Sequence, residues 1–454
     1  MRCFTNLTRT NEIGANSYLL EMEGHTILLD AGMHPKKEGM AATPLYTQTQ
    51  GKKLDAIFIS HAHLDHLGTL PLFARLHPQA KIFMSEPTTH LSDPLLHNSV
   101  NIMKKKTQSQ ETLPLFSHAE VDQIQKRWFP CALEKKLSSI GEPASRSEFS
   151  FEMFDAGHIL GSVGLRFHST KGNFFYTGDV NFDAQEISYS ADFPKDEIDT
   201  LLIETTRGIT DGSDYCRKTE LKHLAKRINE VIERNGAILI PAFALGKTQE
   251  TLVALYHMMQ EGIIPPCPIS IGGLSWNIST IYDRLAKYYP RLSPKLKLID
   301  DIKPRLVNGK NVRKINPQRG HIYLLSSGMM TQHTLSNLVA QHFLTDPRHA
   351  IFFIGYTDPD SPAGQLKSAF AKNQSVTLDT EEGEQPIRCE IDCFDLTAHA
   401  QREDILDYII QVNPRHVLLV HGDEPALEWF QTKIREVRPK IKITIPLPGE
   451  TISF

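Results

Sequence analysis

The run His61-Ala-His63-Leu-Asp65-His66 sets three imidazoles and a carboxylate directly behind an apolar stretch, residues 54–59, that reads as a buried strand. Imidazole and carboxylate together suit zinc. A tight loop at a strand end can aim His61 and His63 at one ion while Asp65 and His66 turn toward a neighbour. The bland alternative is a histidine-rich surface turn, but chance rarely sets four ligand-type residues at this spacing after a strand.

Two ions need more ligands than one loop supplies, and later segments offer them at similar strand-to-turn junctions. His158 sits in Asp155-Ala-Gly-His-Ile-Leu-Gly-Ser162, Asp179 ends Tyr176-Thr-Gly-Asp179, and His421 closes Val417-Leu-Leu-Val-His-Gly422. Small residues at such junctions let backbone approach a cluster. A lone histidine after a strand is more often a satisfied structural residue, so the weight lies in the set.

With Gly14-Ala-Asn-Ser-Tyr-Leu-Leu20, Ile27-Leu-Leu-Asp-Ala-Gly32, Leu202-Ile-Glu204 and Ala398-His399-Ala400 added, the chain resembles the metallo-β-lactamase fold hydrolases. Ile240-Pro-Ala-Phe-Ala-Leu-Gly246 and Ser326-Ser-Gly-Met-Met330 narrow the resemblance to the β-CASP ribonucleases. The resemblance implies an α/β fold: an αββα sandwich in two parts, residues 1–205 and 385–454, with a β-CASP α/β domain inserted at 206–384. It implies that His61, His63 and His158 hold one zinc ion, that Asp65, His66 and His421 hold a second, and that Asp179 bridges them. Asp30 is then the buried carboxylate that orients the ligands through hydrogen bonds. Its bland reading is a turn-forming aspartate before Gly32.

The implied chemistry is phosphodiester hydrolysis. Paired zinc ions roughly 3.5–4 Å apart make hydroxide available at neutral pH and neutralise the phosphoryl oxygens. They do not supply a proton for the departing ribose oxygen, for which a general acid is worth about a hundredfold or more. By resemblance His399 is that acid, and Glu204 accepts a hydrogen bond from its imidazole and selects the tautomer. Without the family pattern the pair reads as a helix-start histidine and a strand-end glutamate. Members of the family that act on RNA carry histidine where His421 stands, so RNA is the implied substrate.

Between the metal motifs the chain alternates. Helices are expected at 214–233, 246–260 and 275–288, with strands at 237–240, 269–271, 322–325 and 351–354, a pattern that gives a parallel sheet with helices on its faces. Helical character is also expected at 98–106 and 119–128. Gly246-Lys247-Thr248 is no Walker motif, because Pro241 occupies the position of the required first glycine. Lys247, at a helix start, and the turn Ser326-Ser327-Gly328 could still hold a phosphate of the substrate; ordinary caps and turns are the rival reading.

Composition says little about the partner. Lys and Arg number 49 against 53 Asp and Glu, a net charge of −4, so no global basic field draws in a polyanion. RNA contact has to be local, and Lys104 to Lys106, Lys310 to Lys314 and Arg319 are candidates that more often mark a solvated face. No secretory or membrane-length apolar run appears, so a soluble, cytoplasmic protein is expected, and a homo-oligomer is left open. The scattered cysteines argue against a disulfide framework, and Cys389 and Cys393 read as packing residues on one face of a strand. Two rivals to a zinc ribonuclease remain: a hydrolase of a small ester, thioester or lactone, and a non-catalytic RNA-binding subunit. The His399 and Glu204 pair argues against the first, and the full set of ligand-type residues against the second.

Overall fold

The computed structural model describes residues 2–107, 113–138, 149–309, 312, 315–380 and 383–454. The chain divides into two compact units: Met1–Ala184, Tyr189–Asp214 and His399–Phe454 form one, and Gln185–Ser188 with Tyr215–Ala398 form the other.

In the first unit, period-two patterning builds two sheets. Along the strand Tyr18–Met22, Tyr18, Leu20 and Met22 enter one core. Along Thr200–Glu204, Leu202 enters that same core while Leu201 and Ile203 face another. The first sheet runs Thr451–Ser453, Cys3–Asn6, Tyr18–Met22, His25–Leu29, Ala56–Phe58, Lys81–Ser85, Trp128–Cys131. The second runs Lys442–Thr444, His416–Val420, Thr200–Glu204, Phe174–Tyr176, Val163–His168, Ser150–Asp155, Leu137–Ser138. Phe4, Phe58, Phe151, Phe167 and Phe174 are fully buried between them. Each such side chain contributes roughly 1.5–3 kcal/mol.

Helices Arg402–Val412 and Glu424–Val437 cover the outer face of the second sheet through Ile405, Ile409, Leu427 and Phe430. The long helix Glu86–Thr107 packs on strands Lys81–Ser85 and Trp128–Cys131 of the first. The unit is an αββα sandwich.

The second unit is a six-stranded, all-parallel sheet in the order Arg305–Val307, Ile269–Gly272, Ile322–Leu325, Ile238–Pro241, Ala350–Ile354, Glu390–Phe394. Ile238 and Ile240 meet Leu224, Ile228 and Val231 of the helix Arg217–Glu233, whose spacing makes one helical face. Leu239 faces the other way, toward Val339, Phe343 and Leu366. Both faces are covered, as a parallel sheet requires.

Several details depart from the sequence reading. The strand Glu390–Phe394 pairs with Ala350–Ile354, so the second unit runs on to Ala398 instead of closing at 384. Helix His118–Gln125 stops short of Trp128, which opens a strand beside Lys81–Ser85. Cys389 is buried and precedes its strand, whereas Cys393 is exposed within it, so the two do not share a packed face. The run 310–314 falls outside the described residues except for Val312, as does the side chain of Lys106; Lys104, Lys105 and Arg319 are exposed.

Register explains where chemistry can gather. Leu29 sits opposite Phe58, and Glu204 opposite Val420, all in parallel pairs, so Asp30, the loop from His61, Glu204 and His421 issue from carboxyl ends of strands. The 61–66 loop is then clamped by backbone: Ala31 N donates to His66 O, Met33 N to Leu64 O and Asn16 N to Asp65 O. Gly32 lies under it, and a Cβ there would stand 1.8 Å from Asp65 O. Gly32→Ala should lower unfolding stability by about 1–3 kcal/mol through overpacking. An unchanged urea midpoint would show that the loop is not held this way.

Candidate metal centre

Asp30, His61, His158, Asp179 and His421 each follow a strand by one to three residues, and local geometry aims them inward. Gly178, at φ +56°, turns the chain just before Asp179, and a Cβ there would meet Ser60 Cβ at 2.8 Å. Asp30 and His421 themselves adopt left-handed backbone, φ 57° and 52°, an uncommon state for residues with a side chain.

Among the described residues three groups could hold a metal ion: His61, His63, His158 and Asp179; Asp65, His66, Asp179 and His421; and Asp179, Glu204 and His399. In the first, His63 Nδ1 lies 3.2 Å from His61 Nε2 and 3.1 Å from His158 Nε2. Asp179 Oδ2 stands 3.6 and 3.7 Å from those two Nε2 atoms. Donor atoms around a tetrahedral ion at about 2.1 Å sit roughly 3.4 Å apart, so this spacing fits one ion. Burial pushes His61 well below, and His63 below, the usual imidazole range, leaving neutral rings as ligation needs. Converging lone pairs of neutral imidazoles repel unless a cation lies between them.

In the second group, His66 Nε2 lies 3.2 Å from Asp179 Oδ1, His421 Nδ1 lies 3.1 Å from the same oxygen, and His421 Nε2 lies 3.5 Å from Asp65 Oδ2. Burial opposes charge on every one of these side chains, yet their mutual attraction outweighs it. His66 rises well above the usual range beside Asp179 and Asp30, and His421 rises to about 10 beside Asp179. Asp65 falls to about 2 beside His66, and Asp179 is held well below the carboxylate range by His421 and His66. Asp179 Oδ1 and His421 Nε2 are buried without an aligned hydrogen-bond partner among the described residues. Two buried groups left in that state, one from each side of the cluster, fit a cation as the missing partner.

Asp30 forms the floor. It is fully buried and accepts from Ser60 N at 2.7 Å, Ser60 Oγ at 2.8 Å, Tyr176 Oη at 2.6 Å and His66 Nδ1 at 2.7 Å. Carrying its proton on Nδ1, His66 turns Nε2 toward Asp179 and Asp65. Sequence reasoning missed Ser60, Tyr176 and Thr206, whose Oγ1 lies 3.1 Å from His421 Nδ1. The available signal was position: Ser60 directly precedes the first histidine, and Tyr176 hides its hydroxyl in a run read as apolar.

The third group joins His399 to Glu204. His399 Nδ1 lies 3.1 Å from both carboxylate oxygens of the buried Glu204, and its ring centre is 4.6 Å from that of His158. Lys247 and the turn Ser326-Ser327-Gly328 belong to the second unit. There Lys247 Nζ donates to Leu396 O, Gly246 N donates to Gln249 Oε1, and Ser327 Oγ accepts from Thr331 N.

An αββα sandwich with clustered histidines and aspartates at its strand ends is the architecture of a metallo-hydrolase. Residues 10–121 match the metallo-beta-lactamase superfamily, 248–366 the Beta-Casp domain, and 384–446 the Zn-dependent metallo-hydrolase RNA specificity domain. The chain belongs to the β-CASP group of the metallo-β-lactamase superfamily.

It is 26% identical over 447 residues to "Transcription termination factor FttA" of Methanosarcina mazei, covering 93% of this chain and 67% of that protein. It is 25% identical to "Endoribonuclease YSH1" of Gibberella zeae, covering 96% of this chain and 55% of that one. An "RNase J-like protein" of Methanocaldococcus jannaschii is 26% identical, with 96% of each chain covered. The chain thus spans about half to two thirds of the length of the first two relatives. A protein of unknown function from Enterococcus faecalis V583 shares the fold over the full length of both chains, with a TM-score of 0.58 at 13% identity. No helix among the described residues is long and apolar enough to cross a membrane.

Two outcomes follow. Metal uptake must displace protons from His66 and His421, so affinity should rise with pH from neutrality toward the His421 value of about 10. Calorimetry in buffers of differing ionisation enthalpy would detect the released protons, and zero release would contradict this arrangement. Tyr176→Phe, which removes one anchor of Asp30, should weaken metal binding about 10- to 100-fold in chelator competition. Wild-type affinity in that variant would mean Tyr176 is only packing.

Proposed function

We propose that the protein is a zinc-dependent ribonuclease that hydrolyses RNA phosphodiester bonds, cutting within the chain. His61, His63 and His158 would hold one ion and Asp65, His66 and His421 another, with Asp179 shared. When bound, the ions supply a water that ionises near neutral pH and positive charge for the phosphoryl oxygens.

The chain's own contribution is the proton. The observation that carries the reading is His399 Nδ1 at 3.1 Å from both oxygens of Glu204. Val180 N donates to Glu204 Oε1 at 2.6 Å and Thr206 N to Oε2 at 3.4 Å, which fixes the carboxylate. Held through Nδ1, the imidazole presents Nε2 as the atom that hands a proton to the departing ribose oxygen. Its ring stands against that of His158, so the acid adjoins the first ligand group.

RNA as substrate is supported by the match of residues 384–446 to an RNA specificity domain and by the relatives' names, endoribonuclease and RNase J-like protein. All six cysteines are free, which fits the reducing cytoplasm.

With zinc bound and RNA labelled at both ends, internal cuts are expected, and the matching DNA should stay intact. His399→Ala should lower cleavage by about a hundredfold or more with metal content unchanged. Equal cutting by the variant would remove His399 from the mechanism, and uncut RNA with metal in place would refute the ribonuclease.

A further inference from the structure

The third ligand group shares Asp179 with the other two and takes in both members of the proposed proton-donating pair. Its donor atoms lie within 4.8 Å of one another. Asp179 is 3% exposed and Glu204 1%, so two of the three ligands are already desolvated and fixed. Glu204 holds its backbone donors while both oxygens still face His399 Nδ1. One imidazole with two carboxylates is a donor set that zinc, cobalt and manganese accept.

We propose that a further divalent ion binds at Asp179, Glu204 and His399 once the other two groups are filled, and that it switches the reaction off. Binding releases the Nδ1 proton of His399 to solvent and replaces it with the ion. With the ion on Nδ1 the ring cannot also carry the second N–H proton that the transfer spends, so the leaving oxygen departs without one. Repulsion from ions in the neighbouring groups makes this ion the weakest bound, roughly ten- to a hundredfold. The same centre is thereby active at limiting metal and silent in excess. The inhibitory half rests on the reading of His399 as the acid, whereas the site itself does not.

The test is equilibrium dialysis against graded zinc chloride with elemental analysis, run beside RNA cleavage at the same free zinc. Wild-type protein should take up one more ion per chain in the upper range, with cleavage falling at least tenfold over that range. His399→Ala and Glu204→Gln should both lack that last ion while keeping the ones bound at low zinc, which also reports that each variant has folded. Equal uptake by the wild type and both variants would overturn the site. Uptake of the last ion with cleavage unchanged would overturn the inhibition. If the wild type cut no RNA at any zinc concentration, the ribonuclease reading would fall, and the uptake comparison would still decide the site.

Discussion

A carboxylate buried among imidazoles is the constraint around which the first unit is built. Asp179 is 3% exposed, yet it faces His61 and His158 through one oxygen and His66 and His421 through the other. Isolated, such a charge would cost several kcal/mol to desolvate. It is tolerated because positive charge meets it on every side: imidazolium on His66 and His421 in the metal-free protein, and metal ions once bound. The split behaviour of the histidines follows from the same point. For His61 and His63 burial wins and the rings stay neutral, whereas His66 and His421, caught between carboxylates, keep a proton.

Such a cluster must be held against its own repulsions, and the sandwich does so from below. Asp30 accepts four hydrogen bonds in a fully buried position and fixes His66 and the start of the 61–66 loop at once. Backbone bonds from residues 16, 31 and 33 pin the same loop. Left-handed residues at Asp30 and His421 cost about 1–3 kcal/mol each, a load that the sheets' aromatic core can carry. Parallel register does the rest by delivering Glu204 and His421 from one end of adjacent strands.

Much of this was legible in the sequence because the clustered residues are of metal-ligating types gathered at or just beyond strand ends. The run from His61 to His66, His158, Asp179 and His421 stood out without coordinates, and the sandwich followed from the motifs around them. The supporting hydroxyls did not stand out: Ser60, Tyr176 and Thr206 act through hydrogen bonds that only the fold brings together, and a serine, a tyrosine in an apolar run or a threonine carries no signal of that. In the second unit the alternation of strands and helices pointed to the sheet. A strand around Cys389 to Cys393 was legible too, but its pairing with Ala350–Ile354, which carries the second unit on to Ala398, is a long-range choice that local sequence does not show. Cys393 was misplaced because a strand at a sheet edge exposes residues that alternation alone would bury.

The central claim is that water, not the substrate's own 2′-hydroxyl, attacks phosphorus at this cluster. Running the cleavage in water enriched in oxygen-18 and weighing the products by mass spectrometry tests it directly. One heavy oxygen in each newly formed terminal phosphate, with no cyclic phosphate, is the expected result. Products ending in a 2′,3′-cyclic phosphate without the label would contradict it: the histidines would then act as a metal-free acid–base pair, and metal-activated water would play no part in cleavage.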